Sequence, residues 1–229
     1  MLNYVADPSM LGRFIPQGTE LDAWQGKTYV SLVGFLFANT RVLGISVPFH
    51  RTFEEVNLRF YVRRTVGGEA RRAVTFIREL VPRSAIAMVA RLAYNEPYAA
   101  LPMRHEFGEA VNGEVPGSVE YAWRRKGSWS GIRAKVTGAG HPVVAGSQEE
   151  FITEHYWGYT KQRDGSTVEY QVTHPSWRVW KVEASAVFGD VAGLYGADFA
   201  RILSGPPDSA FLADGSAVAV HNPTRGIRG

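Results

Sequence analysis

The sequence predicts a mainly β (α+β) fold, an antiparallel barrel, closed or nearly so, with about three short helices. Three observations carry this. Val56, Leu58, Phe60 and Val62 alternate with Asn57, Arg59, Tyr61 and Arg63, the period of two that marks a half-buried strand. Gly67-Gly68 then closes a hairpin onto a second strand over 71–81. Further strand-like segments follow in meander order with no β-α-β alternation, which argues against a doubly wound parallel sheet. Closure into a barrel would protect so many strands from exposed edges.

In chain order, 20–24 reads as a short strand, Gln25-Gly26 as a turn, 27–37 as a long buried strand and 41–47 as another. Pro82 and Ser84 open a helix over 85–94, with Ile86, Val89, Ala90 and Ala93 as its apolar stripe and Pro97 beyond its end. A meander follows over 103–111, 119–125 and 129–138. Ser147-Gln148-Glu149-Glu150 fits a capping box, with Glu150 reaching back. Segments 155–162 and 167–173 form a hairpin about Asp164-Gly165. Segment 178–187 is a strand, Asp190 caps a helix over 191–203, and 217–221 is an edge strand. Residues 1–229 read as one domain with its core over about 10–205 and a frayed tail after 222.

Composition narrows the chemistry. The 229 residues include no cysteine, which excludes disulfides, thiolate metal sites and cysteine nucleophiles, and fits a reducing compartment. The first residues lack a basic stretch followed by an apolar one, so no signal peptide is expected. The nearly apolar runs 29–38 and 85–90 are too short to span a bilayer, and the expectation is a soluble, cytoplasmic protein with no membrane partner. Only five of the 25 basic residues are lysines. Arginine suits fixed contacts with carboxylate or phosphate, although an arginine-favouring genome explains the bias as well.

The standard motifs fail one by one. Gly127-Ser128-Trp129-Ser130-Gly131 misplaces the serine of a nucleophile elbow, and Gly138-Ala139-Gly140-His141 lacks the last glycine of a dinucleotide fingerprint. The six histidines show no metal-binding spacing, so no metal or cofactor is expected. The basic clusters at 63–64, 71–72 and 124–126 lack interleaved aromatics and read as solvated charge rather than a nucleic-acid surface.

Four constellations remain. Glu55, Asn57 and Arg59 place acid, amide and guanidinium close together. Facing inward they would form a carboxylate-binding wall; the obvious core set on the alternate positions favours outward. Arg104 and His105 follow Pro102, His155 and Tyr156 open an aromatic run to Tyr159, and His174 precedes Pro175 at a break. Each histidine titrates near neutrality and suits proton transfer, and each also serves as an ordinary structural side chain.

Phe53–Val62 (FEEVNLRFYV), Pro102–His105 (PMRH), Phe151–Tyr159 (FITEHYWGY) and His174–Trp177 (HPSW), with the opening 16–22 and 30–35, resemble in order the uncharacterised YqjF-like family of bacterial proteins. That resemblance implies an acetoacetate-decarboxylase-like barrel with a central cavity. The decarboxylase of that superfamily uses a Schiff-base lysine beside a second lysine that depresses its pKa. The similar place here is Asn95-Glu96-Pro97-Tyr98-Ala99-Ala100, where Tyr98 and Ala99 stand for the two lysines, and no lysine lies between Lys27 and Lys126.

The expectation is a protein that binds a small anionic or carbonyl-containing molecule in a barrel-interior pocket, without Schiff-base chemistry. The expected ligand-binding residues are Glu55, Asn57, Arg59, Tyr98, Arg104, His105, His155, Tyr156 and His174. The alternative is a non-catalytic structural or interaction domain whose polar residues satisfy one another. Exposed edge strands permit a homodimer, and no motif requires one.

Overall fold

The structure, a computed structural model, describes residues 1–38, 41–42, 45–46, 52–82 and 96–228. Its strands are β1 (Leu2–Val5), β2 (Glu20–Leu21), β3 (Tyr29–Phe37), β4 (Arg41–Val42), β5 (Ile45–Ser46), β6 (Phe53–Val66), β7 (Glu69–Val81), β8 (Tyr98–Ala100), β9 (Met103–Phe107) and β10 (Ala110–Val111). They continue as β11 (Val115–Pro116), β12 (Ser118–Arg125), β13 (Ser128–Pro142), β14 (Trp157–Lys161), β15 (Thr167–Thr173), β16 (Arg178–Phe188), β17 (Ser209–Ala213), β18 (Ala219–Val220) and β19 (Thr224–Ile227). The described α-helices are Pro8–Leu11, Gln148–Thr153, Ala192–Tyr195 and Ala197–Leu203. The helix expected over 85–94 lies outside the described residues.

Fifteen strands make one sheet in the order β18-β15-β14-β7-β6-β3-β1-β17-β16-β13-β12-β9. β19 pairs β15, β2 pairs β6 and β8 pairs β7 off that path. The β7–β14 and β7–β8 pairings are parallel and the others antiparallel. The path ends at β9 and β18, so among the described residues the sheet is not closed, which is compatible with the expected barrel, closed or nearly so. Where β9 approaches β6, a side-chain contact stands in for a ladder: His105 Nδ1 meets Glu54 Oε1 at 2.8 Å.

Two cores form, one on each face of β6. Val56, Leu58, Phe60 and Val62 pack with Leu32, Leu80, Trp123, Ile132, Tyr195 and Phe199. On the other face, Tyr61 packs with Tyr29, Val74, Phe151 and Ile152. The sequence pattern favours an outward Asn57–Tyr61 face; the structure buries it, with Asn57 2% and Tyr61 1% exposed. The cause is the helix Gln148–Thr153, whose Phe151 ring lies 5.1 Å from that of Tyr61.

Strand β7 alternates imperfectly because it carries a bulge. Leu58 pairs with Arg78 but Arg59 pairs with Phe76, which leaves Ile77 as the extra residue. Beyond the bulge, Arg78 lies on the Leu58 side of the sheet and Glu79 lies beside Asn57.

The cap of Gln148–Thr153 is close to the expected one. The Glu150 N–H donates to Ser147 Oγ, and Glu150 Oε2 accepts from the Gly146 N–H rather than from that of Ser147. The single helix expected over 191–203 is two, because Gly196 sits at φ +84° between them. β18 lies within the edge strand expected over 217–221 and pairs with β15, as does β19 beyond residue 222. Among the described residues, no helix is long and apolar enough to cross a membrane.

Candidate functional site

The buried polar face of β6 runs from Glu55 through Asn57 and Arg59 to Tyr61. Pairing aligns Tyr98, Glu79 and Asn57 in one row across β8, β7 and β6. Glu96 comes just before β8. Tyr170 enters from β15 opposite Gly158, which has no side chain where the tyrosine ring lies; a Cβ there would collide with it.

Three carboxyls thus meet under little solvent: Glu55 is 2%, Glu79 1% and Glu96 7% exposed. Asn57 Nδ2 donates to Glu55 Oε1 at 2.9 Å, and the Tyr98 hydroxyl donates to Glu55 Oε2 at 3.2 Å. The Tyr170 and Thr160 hydroxyls donate to Glu96 Oε1 at 2.5 and 3.4 Å. Among the described residues Glu79 Oε2 and Asn57 Oδ1 have no partner. Among the described residues no cation forms an ion pair with any of the three acids.

The electrostatics follow. Burial pushes Glu55 and Glu96 up to about 7, against the pull of their hydrogen bonds. Glu79 goes well above the usual carboxylate range through burial and then the charges of Glu96 and Glu55. Tyr98 and Tyr170 are also raised well above the usual range, first by burial. At neutral pH the cluster therefore holds protons, and its carboxyls can donate as well as accept.

Further along the same face, Arg59 Nη2 donates to the Ile152 carbonyl at 3.1 Å and its Nε is unpartnered. His155 is 6% exposed and packs on Tyr61 and Phe151. Among the described residues neither ring nitrogen has a hydrogen-bond partner. Burial first, then the Arg72 and Arg59 charges, push it well below its usual range, so it is neutral.

Of the residues expected from sequence, the structure brings Glu55, Asn57 and Tyr98 together, with Arg59 and His155 along the same face. The others lie elsewhere. His105 pairs with Glu54, which points opposite to Glu55, and Arg104 is near Glu120 and Glu106 over the Trp129 ring. Tyr156, His174 and Trp177 form a stack at the surface, with centroids 5.0 and 4.5 Å apart. Glu79, Glu96 and Tyr170 were not expected.

Among the described residues no three His, Asp or Glu side chains are placed to hold a metal ion. A cavity of about 20 Å³, with room for a water molecule, lies away from the glutamates between Leu2, Gly34, Tyr121, Ile132 and Phe211.

The fold is that of the acetoacetate-decarboxylase-like proteins. The chain is similar in structure to acetoacetate decarboxylase from Legionella pneumophila (TM-score 0.62, 12% identity, 100% of this chain and 83% of that one). It is similar also to an acetoacetate-decarboxylase-like enzyme from Sphingomonas wittichii RW1 (0.59, 15%, 98% and 88%) and to the enduracididine biosynthesis enzyme MppR complexed with pyruvate (0.61, 13%, 100% and 84%). Within that class, residues 1–217 match the family DUF2071, described as an uncharacterized conserved protein, and the chain belongs to it. It is 27% identical over 201 residues to the uncharacterized protein YqjF of Bacillus subtilis (strain 168), covering 85% of this chain and 77% of that protein.

Proposed function

We propose that the chain binds a small organic molecule carrying a carbonyl and an acidic group, held at the glutamate cluster without a covalent bond to lysine. The observation that carries this reading is the pair of buried, unpartnered acceptors, Glu79 Oε2 and Asn57 Oδ1, beside carboxyls that burial keeps protonated. An unpaired buried polar group costs about 1–3 kcal/mol, so few survive without a use.

A protonated carboxyl donates to a carbonyl oxygen, and a free acceptor takes the proton of an enol or hydroxyl. Arg59 Nε, along the same face, fits the acidic group. A structural neighbour holding pyruvate and another named for acetoacetate fit the same ligand class. All five lysines are exposed, and Tyr98 and Ala99 stand where the family resemblance places the two lysines.

The test is calorimetric titration and thermal shift with pyruvate, acetoacetate and 2-oxoglutarate, followed by borohydride treatment and mass measurement of the intact chain. Binding by at least one oxo acid, loss of that binding in Arg59→Ala and an unchanged chain mass are expected. Binding by none of the three, undiminished binding in Arg59→Ala, or a trapped adduct would each contradict the reading.

A further inference from the structure

The three glutamates are 2%, 1% and 7% exposed, so a ligand reaches them only when a covering group moves. Tyr170 covers Glu96 from β15, next to one end of the sheet path. Among the described residues β15 pairs β14 on one side, and β18 and β19 on the other. Those two short strands form a strap laid along β15. Val220 pairs with Val172 and Ala219 with Thr173. The His221 N–H donates to the Gln171 carbonyl at 2.9 Å, and Thr173 Oγ1 lies 3.1 Å from His221 Nε2. Further on, Thr224 pairs with Glu169 and Ile227 with Thr167. Strap contacts therefore flank Tyr170 on both sides. No residue from 217 to 228 is buried, so little apolar packing holds the strap in place.

The two ends of β15 are held differently. Glu169 is anchored by Arg64, Arg71 and the Tyr159 hydroxyl. The ladder to β14 stops at the Trp157–Gln171 pair, with one further bond from the Val172 N–H to the Tyr156 carbonyl. Residues 171–173 therefore depend most on β18. We propose that the strap gates the glutamate cluster: paired, it keeps the Tyr170 hydroxyl on Glu96, and released, it lets 170–173 swing away and opens the acids to a ligand. The gate rests on the reading of the cluster as the ligand site. An exposed strap opens by local unfolding at far smaller cost than the strands beneath it, because it gives up a few hydrogen bonds and little buried apolar surface. The Tyr170 ring fills the space where Gly158 has no side chain, so its departure leaves a way in at that point.

The test is N-acetylimidazole labelling of tyrosine hydroxyls in the intact chain, read at Tyr170 by peptide mass. The chain has no cysteine, so a clasp can be introduced without competing thiols. Val172 and Val220 pair next to the bonded Gln171–His221 rung, so theirs is the close, non-hydrogen-bonded kind of pair that suits a disulfide. Val172→Cys with Val220→Cys, once oxidised, should slow labelling at least about tenfold against the unaltered chain. His221→Pro, which removes the bond to the Gln171 carbonyl, should speed it about fivefold. Stopped-flow association of pyruvate, acetoacetate or 2-oxoglutarate should slow with the clasp closed. Labelling of Tyr170 unchanged in both variants, an equal gain in His221→Pro at Tyr195 in the larger core, or oxo-acid association as fast with the clasp closed would each overturn the gate. A chain that binds no oxo acid but changes its labelling as expected keeps the strap and refutes the ligand assignment, which separates the two failures.

Discussion

The two ends of the β6–β7 hairpin handle buried charge in opposite ways. At the turn end, every arginine meets an acid. Arg64 and Arg71 share Glu169 at 3.3 and 2.7 Å, Arg72 holds Asp22 at 2.7 Å and Arg63 reaches Glu20 at 2.9 Å. Arg71 and Arg72 also lie over the Trp157 and Phe151 rings. At the other end, Glu55, Glu79 and Glu96 are also buried, and among the described residues none of them forms an ion pair. The turn end is a set of matched charges that ties β2, β6, β7 and β15 together. The glutamate end leaves acceptors open and holds its carboxyls protonated. Matched charge is what structure alone requires; protonated carboxyls with open acceptors are what the proposed ligand site uses.

Substitutions can break or sharpen this contrast. The largest effect is expected at Glu169, which accepts from Arg64, Arg71 and the Tyr159 hydroxyl. Glu169→Ala should destabilise the chain by about 3 kcal/mol at pH 7 in denaturant unfolding, because it strands two guanidinium groups. A loss below about 1 kcal/mol would remove the structural role given to the turn end.

Glu79→Gln should do the reverse. An unfolded glutamate loses its proton near 4.5, whereas Glu79 keeps it well above that value. Across the interval between, the folded state binds the extra proton and stability falls as pH rises, by about 1.4 kcal/mol per unit for each such group. Glutamine removes the penalty. Glu79→Gln should therefore gain about 2 kcal/mol at pH 8 and little at pH 5, read from unfolding curves at the two values. A loss of stability at pH 8 would show that the carboxylate is compensated after all.

Gly158→Ala should cost about 1.5 kcal/mol, since its Cβ would press on the Tyr170 ring and shift the hydroxyl from Glu96. A neutral change in thermal unfolding would mean that Tyr170 moves freely. The smallest effect is expected at Arg63→Ala. That pair is about half exposed, with side chains at 49% and 63%, and removing it should change stability by no more than about 0.5 kcal/mol.

Most of the fold is legible in the sequence because alternation and turn residues write strands locally. The 167–173 strand and the Ser147 cap are where the pattern places them. What the pattern does not write is closure and coverage. The alternation at Val56–Arg63 identifies a strand with one apolar face, but whether a distant helix covers the polar face depends on contacts nearly a hundred residues away. The site is legible to the same degree. Glu55 and Asn57 share a strand and could be chosen together, and the family resemblance led to Tyr98. Glu79 follows a bulge that blurs its period, Glu96 lies in a short link before β8, and Tyr170 reaches the cluster only because residue 158 is glycine. His105, Tyr156 and His174 look equally chemical in sequence, and only the face on which each strand presents them separates them from the cluster.

The most direct measurement is the pH dependence of oxo-acid affinity for the intact chain, taken by calorimetry with the tightest of the three acids at pH 6 and pH 8.5. Glu55 and Glu96 lose their protons near 7, so an anionic ligand should bind at least about tenfold more weakly at pH 8.5. Affinity that is unchanged, or stronger, at the higher pH would contradict a site built from protonated glutamates.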